Sequence, residues 1–381
     1  MNWPLNVNNF NSEDIEKICS FLKNPNSRWT QDNYVEEFEN KMAKFANSKY
    51  SIFVSSGSTA NTLIAMNLKD NFKFKKIIFP STTWITSISP FIREGFEPVF
   101  IDVNLQDLAL DLDKAEQALQ TDSEIGCIFI TSLLGFVPDV DRLNYIAEKY
   151  KVLVMMDNCE NTFGKFKDKN ISSYFTSTTS TYFGHQLQSI EGGFIFTNNE
   201  SEYDYFLMSR NHGMTRSLKT NKEKYKNSDV DERFDFYTLG NNFRNTNLNA
   251  FIGLLDFNKV DCYVNKRVEL YTIFKNTLNM ENHILPNDFN NRSHVAFCLP
   301  VISKNENTKN VKLKICENLG VETRPIISGN LLKQTALKKY GNYKNYQNSE
   351  FLHNNGFYVG LHVKLTEKDV SDLTKEINKY D

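Results

Sequence analysis

The chain has 381 residues, of which 40% are apolar and 24% charged, and its net charge is −2. This composition is ordinary for a globular protein, and the small charge gives no electrostatic reason to expect a nucleic acid or a membrane surface as a partner. At about 150 residues per domain the length indicates two domains, and no run reaches the roughly 20 apolar residues that cross a bilayer.

The first two thirds of the chain alternate short apolar runs with helical patterns. After an N-terminal arm of residues 1–30, with a predicted helix from Ser12 to Leu22, the apolar runs lie at 50–56, 76–81, 97–103, 126–135, 151–158 and 192–198. Helical patterns at 61–68 and 139–150 lie between them. Continuous apolar strands separated by helices predict a large α/β domain, residues 31–265, with a mostly parallel sheet.

A second alternation of elements begins near residue 266. Its pattern predicts helices at Val268–Asn279, Lys309–Leu319 and Glu367–Lys379, and a strand at His294–Ile302. We therefore expect a smaller α/β domain over residues 266–381.

The cysteines are dispersed and form no close pair. They are Cys19, Cys127, Cys159, Cys262, Cys298 and Cys316. This spacing predicts reduced thiols in a cytoplasmic protein, with no metal site and no iron–sulfur cluster. The start of the chain also lacks the basic and apolar segments of a signal peptide.

Ligands of open α/β sheets bind at the carboxyl ends of the strands, so the residues that follow each strand are informative. In "SSGSTAN" (55–61), Gly57 and Ser58 precede a helix and form either a phosphate cradle or an ordinary helix cap. Trp84 follows the next strand and either stacks on a flat ring or covers the core edge. Asp157 ends a buried strand and precedes Glu160; its carboxylate either pairs with a protonated ring nitrogen or caps a helix.

The stretch "STYFGHQLQSIEGGFIF" (180–196) places Ser180 and His185 in a polar loop before an apolar strand. Taken alone, this histidine is more often a satisfied loop residue than a catalytic base. The order of all these segments changes that balance.

Together the segments resemble the DegT/DnrJ/EryC1/StrS family of fold-type I, pyridoxal-phosphate-dependent sugar aminotransferases, which have an aspartate aminotransferase-like fold. The resemblance covers nearly the whole chain. It rests on "SGSTAN", Trp84, "MDNCEN", "SRNHGMTR" (209–216), "LGNNFRNTNLNAFIG" (239–253) and "GVETRPIISGNLLKQ" (320–334). It implies pyridoxal 5′-phosphate (PLP) and its amine form, pyridoxamine 5′-phosphate, as cofactors, and a homodimer with shared active sites.

The chain departs from the family's aminotransferases at His185, where those enzymes carry the lysine that binds the cofactor covalently. No lysine lies between Lys169 and Lys219 to replace it. The substitution is similar to the family's sugar 3-dehydratases, which act on a GDP-linked 4-keto-6-deoxy sugar of mannose or heptose type. An imidazole cannot form the covalent imine, but it supplies a neutral base near pH 7.

This resemblance implies a dehydratase that removes the C3 hydroxyl and yields a 4-keto-3,6-dideoxy sugar. L-glutamate would restore the cofactor amine, and ammonia would be released. His185 would take a proton from the cofactor's C4′ carbon and then, in its protonated form, assist the departure of the C3 hydroxyl. Asp157 would keep the cofactor ring protonated.

The remaining site residues follow from the resemblance. Cofactor contacts fall on Gly57, Ser58, Trp84, Asp157, Glu160, Ser180 and Asn242. Asn242 would reach into the neighbouring subunit's site. His212, Arg244 and Arg324 would contact the diphosphate of the sugar nucleotide, or they are surface residues.

The sequence leaves two other functions open. One is an aminotransferase that has lost its lysine, and the other is an inactive family member kept for binding or regulation. Retention of Asp157, Ser180 and the phosphate turn disfavours the inactive protein, and the dispersed cysteines disfavour the CDP-sugar dehydratases, which carry an iron–sulfur cluster. The sugar, the nucleotide base and the amino donor are not fixed by the sequence.

Overall fold

The computed structural model describes residues 2–381. Its helices are α1 (Ser12–Lys23), α2 (Asn33–Phe45), α3 (Gly57–Asn71), α4 (Ser89–Arg93), α5 (Leu112–Thr121), α6 (Val140–Tyr150), α7 (Glu200–Arg210), α8 (Lys222–Tyr225), α9 (Asn247–Phe257), α10 (Val260–Thr277), α11 (Glu306–Leu319), α12 (Gln347–Asn355) and α13 (Glu367–Asn378). Within this range, no helix combines the length and the apolar character that crossing a bilayer requires.

The strands form one large sheet and two small ones. They are β1 (Tyr50–Val54), β2 (Lys76–Pro80), β3 (Glu97–Ile101), β4 (Ile125–Thr131), β5 (Leu153–Asp157), β6 (Lys165–Phe166), β7 (Lys169–Asn170), β8 (Thr176–Ser180), β9 (Gly193–Thr197), β10 (Arg292–Ser293), β11 (Cys298–Ile302), β12 (Thr323–Pro325) and β13 (Gly356–Gly360). The large sheet has the order β1-β9-β8-β5-β4-β2-β3.

The predicted α/β architecture with a mostly parallel sheet is confirmed. The neighbours from β3 to β8 pair in parallel, and only β9 runs antiparallel, against both β1 and β8. The six predicted apolar runs correspond to β1, β2, β3, β4, β5 and β9. Their buried side chains pack against helices on both faces, as buried parallel strands require.

One strand of the large sheet, β8, has a polar sequence that no apolar pattern indicates. Its residues are TSTTS, and four of the five are buried. Burial is tolerated because the hydroxyls are paired: Thr178 donates to the Asn61 side-chain oxygen at 2.7 Å, and Thr179 lies 2.7 Å from the Thr162 hydroxyl. This strand carries Ser180 and leads into the loop that contains His185.

The C-terminal part of the chain is built on the antiparallel sheet β11–β13–β12. Helices α10 and α13 pack beside it, and Leu270, Phe274 and Leu373 are buried in this core. The expected boundary between residues 265 and 266 falls inside α10. The strand expected at His294–Ile302 occupies only its second half, as β11.

The N-terminal arm connects the C-terminal sheet with the loop after β8. The Trp3 indole donates to the carbonyl of Gly360 at 2.9 Å, and the Leu5 amide donates to the Glu322 carboxylate at 3.0 Å. The next residue, Asn6, donates its side-chain amide to the carbonyl of Phe183 at 2.7 Å. The arm therefore passes along the edge of the cleft between the two sheets.

Candidate active site

A cavity of about 840 Å³ lies at the carboxyl ends of the large-sheet strands, facing the C-terminal sheet. It brings together eight of the residues singled out from the sequence: Gly57, Ser58, Trp84, Asp157, Glu160, Ser180, His185 and Arg324. These residues come from segments far apart in the chain, so their convergence is a property of the fold. It follows the rule that the strand ends of an open α/β sheet form the binding crevice.

One end of the cavity is the start of α3. The helix cap is Ser56, whose hydroxyl accepts the Thr59 amide at 3.1 Å in a capping box. A β-carbon at Gly57 would lie 2.7 Å from the Cys159 sulfur and 3.1 Å from Ser180 Cβ, so only glycine fits there. With the cap at Ser56, the hydroxyl of Ser58 is not used as a cap and lines the cavity beside the helix N-terminus, where an anion is favoured.

Asp157 is a buried carboxylate with three donors around it. Its Oδ2 accepts the Asn61 amide at 2.8 Å and the Ser87 hydroxyl at 2.7 Å, and its Oδ1 accepts the backbone amide of Cys159 at 3.0 Å. The Thr178 hydroxyl orients the Asn61 amide by donating to its oxygen. These contacts fix the carboxylate on the cavity wall, where it is suited to pairing with a protonated ring nitrogen. The sequence did not indicate Asn61 and Ser87 as its supports.

Glu160 lies on the same wall of the cavity, and its carboxyl group is buried away from solvent. Burial raises the pKa of its carboxyl group to about 8, and the neighbouring Asp157 charge adds to this effect. One carboxyl oxygen accepts the backbone amide of Leu134 at 2.7 Å. At neutral pH this group is therefore mostly a protonated acid that can donate a hydrogen bond into the cavity.

His185 points its ring into the cavity with the Nδ1 atom unpartnered and buried. Burial lowers the pKa of the imidazole to about 4, against the opposing influence of Asp157. The ring centroid lies 5.5 Å from that of Phe297, at the C-terminal wall. At neutral pH the side chain is a neutral imidazole with a free ring nitrogen, which is the form required of a general base.

The loop that carries His185 is fixed from three sides. The Asn6 amide donates to the His185 carbonyl at 3.3 Å, the Gln186 amide donates to the Val295 carbonyl at 2.7 Å, and the Gln188 backbone amide donates to Asp256 at 2.8 Å. These contacts join the loop to the N-terminal arm, to the chain before β11 and to α9. The pattern around residues 180–196 gave no sign of them.

Three predicted residues lie outside the cavity. Asn242 and His212 are exposed, and Arg244 is half-exposed. The Arg244 guanidinium donates to the Asn242 side chain at 3.0 Å, and the His212 amide donates to the neighbouring Asn241 carbonyl. The three residues form one group on the surface. This group lies beside the end of β1, because Arg244 forms a β-bridge with Val54, the last residue of that strand.

Two arginines line the cavity. Arg324 is half-exposed and pairs with Glu322 at 2.7 Å. Arg267, which the sequence analysis did not single out, is buried and donates only to backbone carbonyls. Its place in the amphipathic helix α10 gave no functional signal. Within residues 2–381, no group of three histidine, cysteine or acidic side chains is arranged to hold a metal ion.

Comparison with known proteins identifies close relatives. The model of the DegT/DnrJ/EryC1/StrS aminotransferase family matches residues 9–378. The chain is 31% identical to the GDP-4-keto-6-deoxy-D-mannose 3-dehydratase of Escherichia coli O55:H7 over the full length of both proteins. It is 28% identical to the Yersinia pseudotuberculosis protein of the same name, over 100% of this chain and 99% of that one.

The solved structures agree with this similarity. An E. coli GDP-4-keto-6-deoxy-D-mannose-3-dehydratase with bound hydrated PLP has a TM-score of 0.91 at 27% identity, over 99% of each chain. A GDP-4-keto-6-deoxymannose-3-dehydratase with a trapped PLP-glutamate geminal diamine has the same TM-score and identity, over 99% of this chain and 100% of that one. The GDP-perosamine synthase of E. coli O157:H7 is 25% identical over 79% of this chain and 78% of its own length.

Proposed function

This chain belongs to the DegT/DnrJ/EryC1/StrS family, and we propose that it is a PLP-dependent 3-dehydratase of a GDP-linked 4-keto-6-deoxy sugar. The observation that carries the proposal is the cavity itself. In residues 2–381 its wall contains His185 and no lysine, so the covalent cofactor linkage of an aminotransferase has no donor there. Two relatives that match the whole chain, at 31% and 28% identity, are named as dehydratases of this type.

The cavity fits the cofactor at both of its ends. Gly57, Ser58 and Ser180 would hold the phosphate at the start of α3, and the missing β-carbon of Gly57 lets the helix start pack closely against Cys159 and Ser180. Asp157 would hold the protonated ring nitrogen, and the exposed indole of Trp84 would cover the ring. Pyridoxamine phosphate, when bound, supplies an amine for the C4 ketone of the sugar and a ring that accepts electrons.

His185 would move the proton on which the reaction depends. Its neutral ring would accept a proton from the cofactor's C4′ carbon. The same ring, as an imidazolium, would donate that proton to the departing C3 hydroxyl, so that water rather than hydroxide would leave. The loop that carries the ring is held by two hydrogen bonds, from the Asn6 side chain to the His185 carbonyl and from the Gln188 side chain to the Val7 carbonyl.

Glu160 would contribute a hydrogen-bond donor and not a charge. Its raised pKa keeps the carboxyl group protonated at neutral pH, so it can donate to an oxygen of the bound cofactor. Arg324 lies at the edge of the cavity and would bind the diphosphate of the sugar nucleotide. The GDP moiety, the 6-deoxy sugar and glutamate as the amino donor are proposed from the relatives' substrates and ligands.

We also propose that the active site is completed by a second copy of the chain. Asn242, His212 and Arg244 lie outside their own subunit's cavity. The segment between His212 and Asn242 exposes a group of large apolar side chains, namely Phe234, Phe236, Tyr237 and Leu239, the last of them 90% exposed. An apolar group of this kind next to polar site residues favours a protein interface.

Subunit complementation tests this sharing. His185→Asn and Asn242→Ala proteins are each expected to be nearly inactive as homodimers. When the two are unfolded and refolded together, mixed dimers contain one site with both native residues, so turnover returns to about one quarter of the wild-type value. Mixed samples that stay as inactive as the two parents would show that Asn242 acts within its own subunit or not at all.

Two further features remain proposals. The chain divides into the arm 1–30, a large cofactor-binding domain 31–265 and a small domain 266–381. The cysteines of the described chain are all free, which supports a reducing compartment such as the cytoplasm.

The activity is tested with purified protein, PLP, L-glutamate and GDP-4-keto-6-deoxy-mannose. We expect a sugar product that has lost the C3 oxygen, with one ammonia and one 2-oxoglutarate formed per turnover, measured by mass spectrometry and coupled assay. A product that carries a new amino group would instead identify an aminotransferase. The corresponding heptose substrate, tested in parallel, reports which sugar is preferred.

A further inference from the structure

Arg267 is a buried cation that lacks a protein carboxylate. The residue is 4% exposed, and its Nη1 donates to the carbonyls of Ala296 and Phe297 at 3.2 and 3.0 Å. Its Nε is buried and has no partner. Carbonyl oxygens satisfy hydrogen bonds but do not neutralise a charge, and an uncompensated buried charge is costly.

The other buried arginines of the described chain show what compensation looks like here. Arg210 forms an ion pair with Glu39, and Arg292 pairs with both Asp107 and Asp139 at 2.9 and 2.8 Å. Neither of these two lines the cavity. Arg267 differs from them in both respects, because it lines the cavity and forms no ion pair with any described residue.

The carboxylate whose charge acts on Arg267 is Asp256, which raises its pKa but forms no ion pair with it. Asp256 accepts the Tyr263 hydroxyl and the Gln188 backbone amide, both at 2.8 Å. Asp157 is surrounded by its own three donors, and Glu160 is mostly protonated at neutral pH. Burial lowers the pKa of Arg267 only to about 10, so the guanidinium stays charged. Within the described chain the guanidinium therefore contacts backbone carbonyls and no carboxylate.

We propose that Arg267 binds a carboxylate of the amino acid that returns the amine to the cofactor. This inference rests on the proposed function. The guanidinium holds the carbonyl of Phe297, whose ring contacts His185, so it lies on the wall beside the reacting atoms. An amino donor must place its nitrogen at the same cofactor carbon that His185 serves, and its carboxylate lies within a few bonds of that nitrogen.

The other anions that enter the cavity have better-placed partners. The cofactor phosphate is proposed for the start of α3, where Gly57, Ser58 and Ser180 line the cavity. The diphosphate of a sugar nucleotide suits Arg324, which is half-exposed at the cavity edge. Arg267 thus provides a dicarboxylic amino donor with a contact that the sugar nucleotide does not use.

The test separates the two half-reactions in the PLP-loaded protein. L-glutamate is titrated without sugar, and conversion of the cofactor is followed by its absorbance. Arg267→Met is expected to raise the half-saturating glutamate concentration by at least about tenfold, because the charged hydrogen bond to the carboxylate is lost. Arg267→Lys should raise it by less, because lysine keeps the positive charge and changes only the geometry of the hydrogen bond. The half-saturating sugar-nucleotide concentration should change far less.

Arg324→Met is the matched comparison, and it should show the reverse pattern, with a larger effect on the sugar nucleotide than on glutamate. Binding without chemistry is measured with glutarate, a dicarboxylate that has no amine. Glutarate should raise the melting temperature of the wild-type protein and of Arg267→Lys but not of Arg267→Met. The melting curve without ligand shows whether Arg267→Met is folded.

Three results with the Arg267→Met variant would overturn the proposal: an unchanged glutamate titration, stabilisation by glutarate equal to that of the wild type, or a selective loss of sugar-nucleotide affinity. The titration needs no sugar, so it gives an answer even if the protein proves not to be a dehydratase. A wild-type protein whose cofactor does not respond to glutamate would also overturn it.

Discussion

Replacing His185 with asparagine is expected to lower dehydratase turnover by about 10²- to 10⁴-fold, the range typical for loss of a general acid–base group. Asparagine keeps a polar side chain in the loop but cannot take up a proton. The imidazole is the residue on the cavity wall that combines a free ring nitrogen with a neutral state at pH 7. Turnover is measured as ammonia released per subunit with saturating substrate.

The control for this result is His353→Asn. His353 is a half-buried histidine of α12 that does not line the cavity, so its replacement should leave turnover within about twofold. Cofactor absorbance of the His185→Asn protein must match the wild type, because the change should affect proton transfer and not cofactor binding. An asparagine variant that keeps more than a tenth of the wild-type rate would assign the proton transfer to another group.

The pH dependence gives an independent check on the same residue. Burial places the pKa of His185 near 4, below the value of a free imidazole, so the basic form persists as the pH falls from 7 to 5. The acid limb of the turnover profile should therefore lie well below pH 6. An acid limb at pH 6.5 would show that the imidazole is solvated, as in a free histidine.

The strand ends of the site could be predicted from the sequence because their signals are local. Asp157 and Gly57 each follow a run of buried apolar residues, and parallel strands bring such positions to one edge. The strand β8 was not predicted because it is polar. The cost of burying its hydroxyl groups is offset by hydrogen bonds between hydroxyls, such as that of Thr179 with Thr162. Apolar periodicity carries no information about such a strand.

The groups that complete the site could not be predicted, because their roles depend on contacts between distant parts of the chain. Asn6 holds the His185 loop across 179 residues of sequence. Arg267 is distinguished only by the absence of a carboxylate near it, and any arginine in an amphipathic helix looks the same in sequence. Asn242 was indicated by the family resemblance, whereas in the structure of the single chain it lies on the surface, outside the cavity.

Replacing Asp157 with asparagine is expected to weaken binding of the cofactor by about 10- to 100-fold, because the charge that would pair with the ring nitrogen is lost. The amide is also a poor substitute within the protein. Both Asn61 and Ser87 donate to Oδ2, so an amide nitrogen at that position would face two donors. Cofactor affinity is measured by fluorescence titration of the protein freed of PLP.

Asp102→Asn is the matched control for this change. Asp102 is equally buried and also accepts backbone amides, from Val103, Asn348 and Ser349, but it lies outside the cavity. Both variants lose a buried carboxylate, so both should melt at a lower temperature, whereas only Asp157→Asn should lose cofactor affinity selectively. Equal cofactor affinity in the two variants would mean that Asp157 supports the fold around Asn61 and Ser87 and does not hold the cofactor ring.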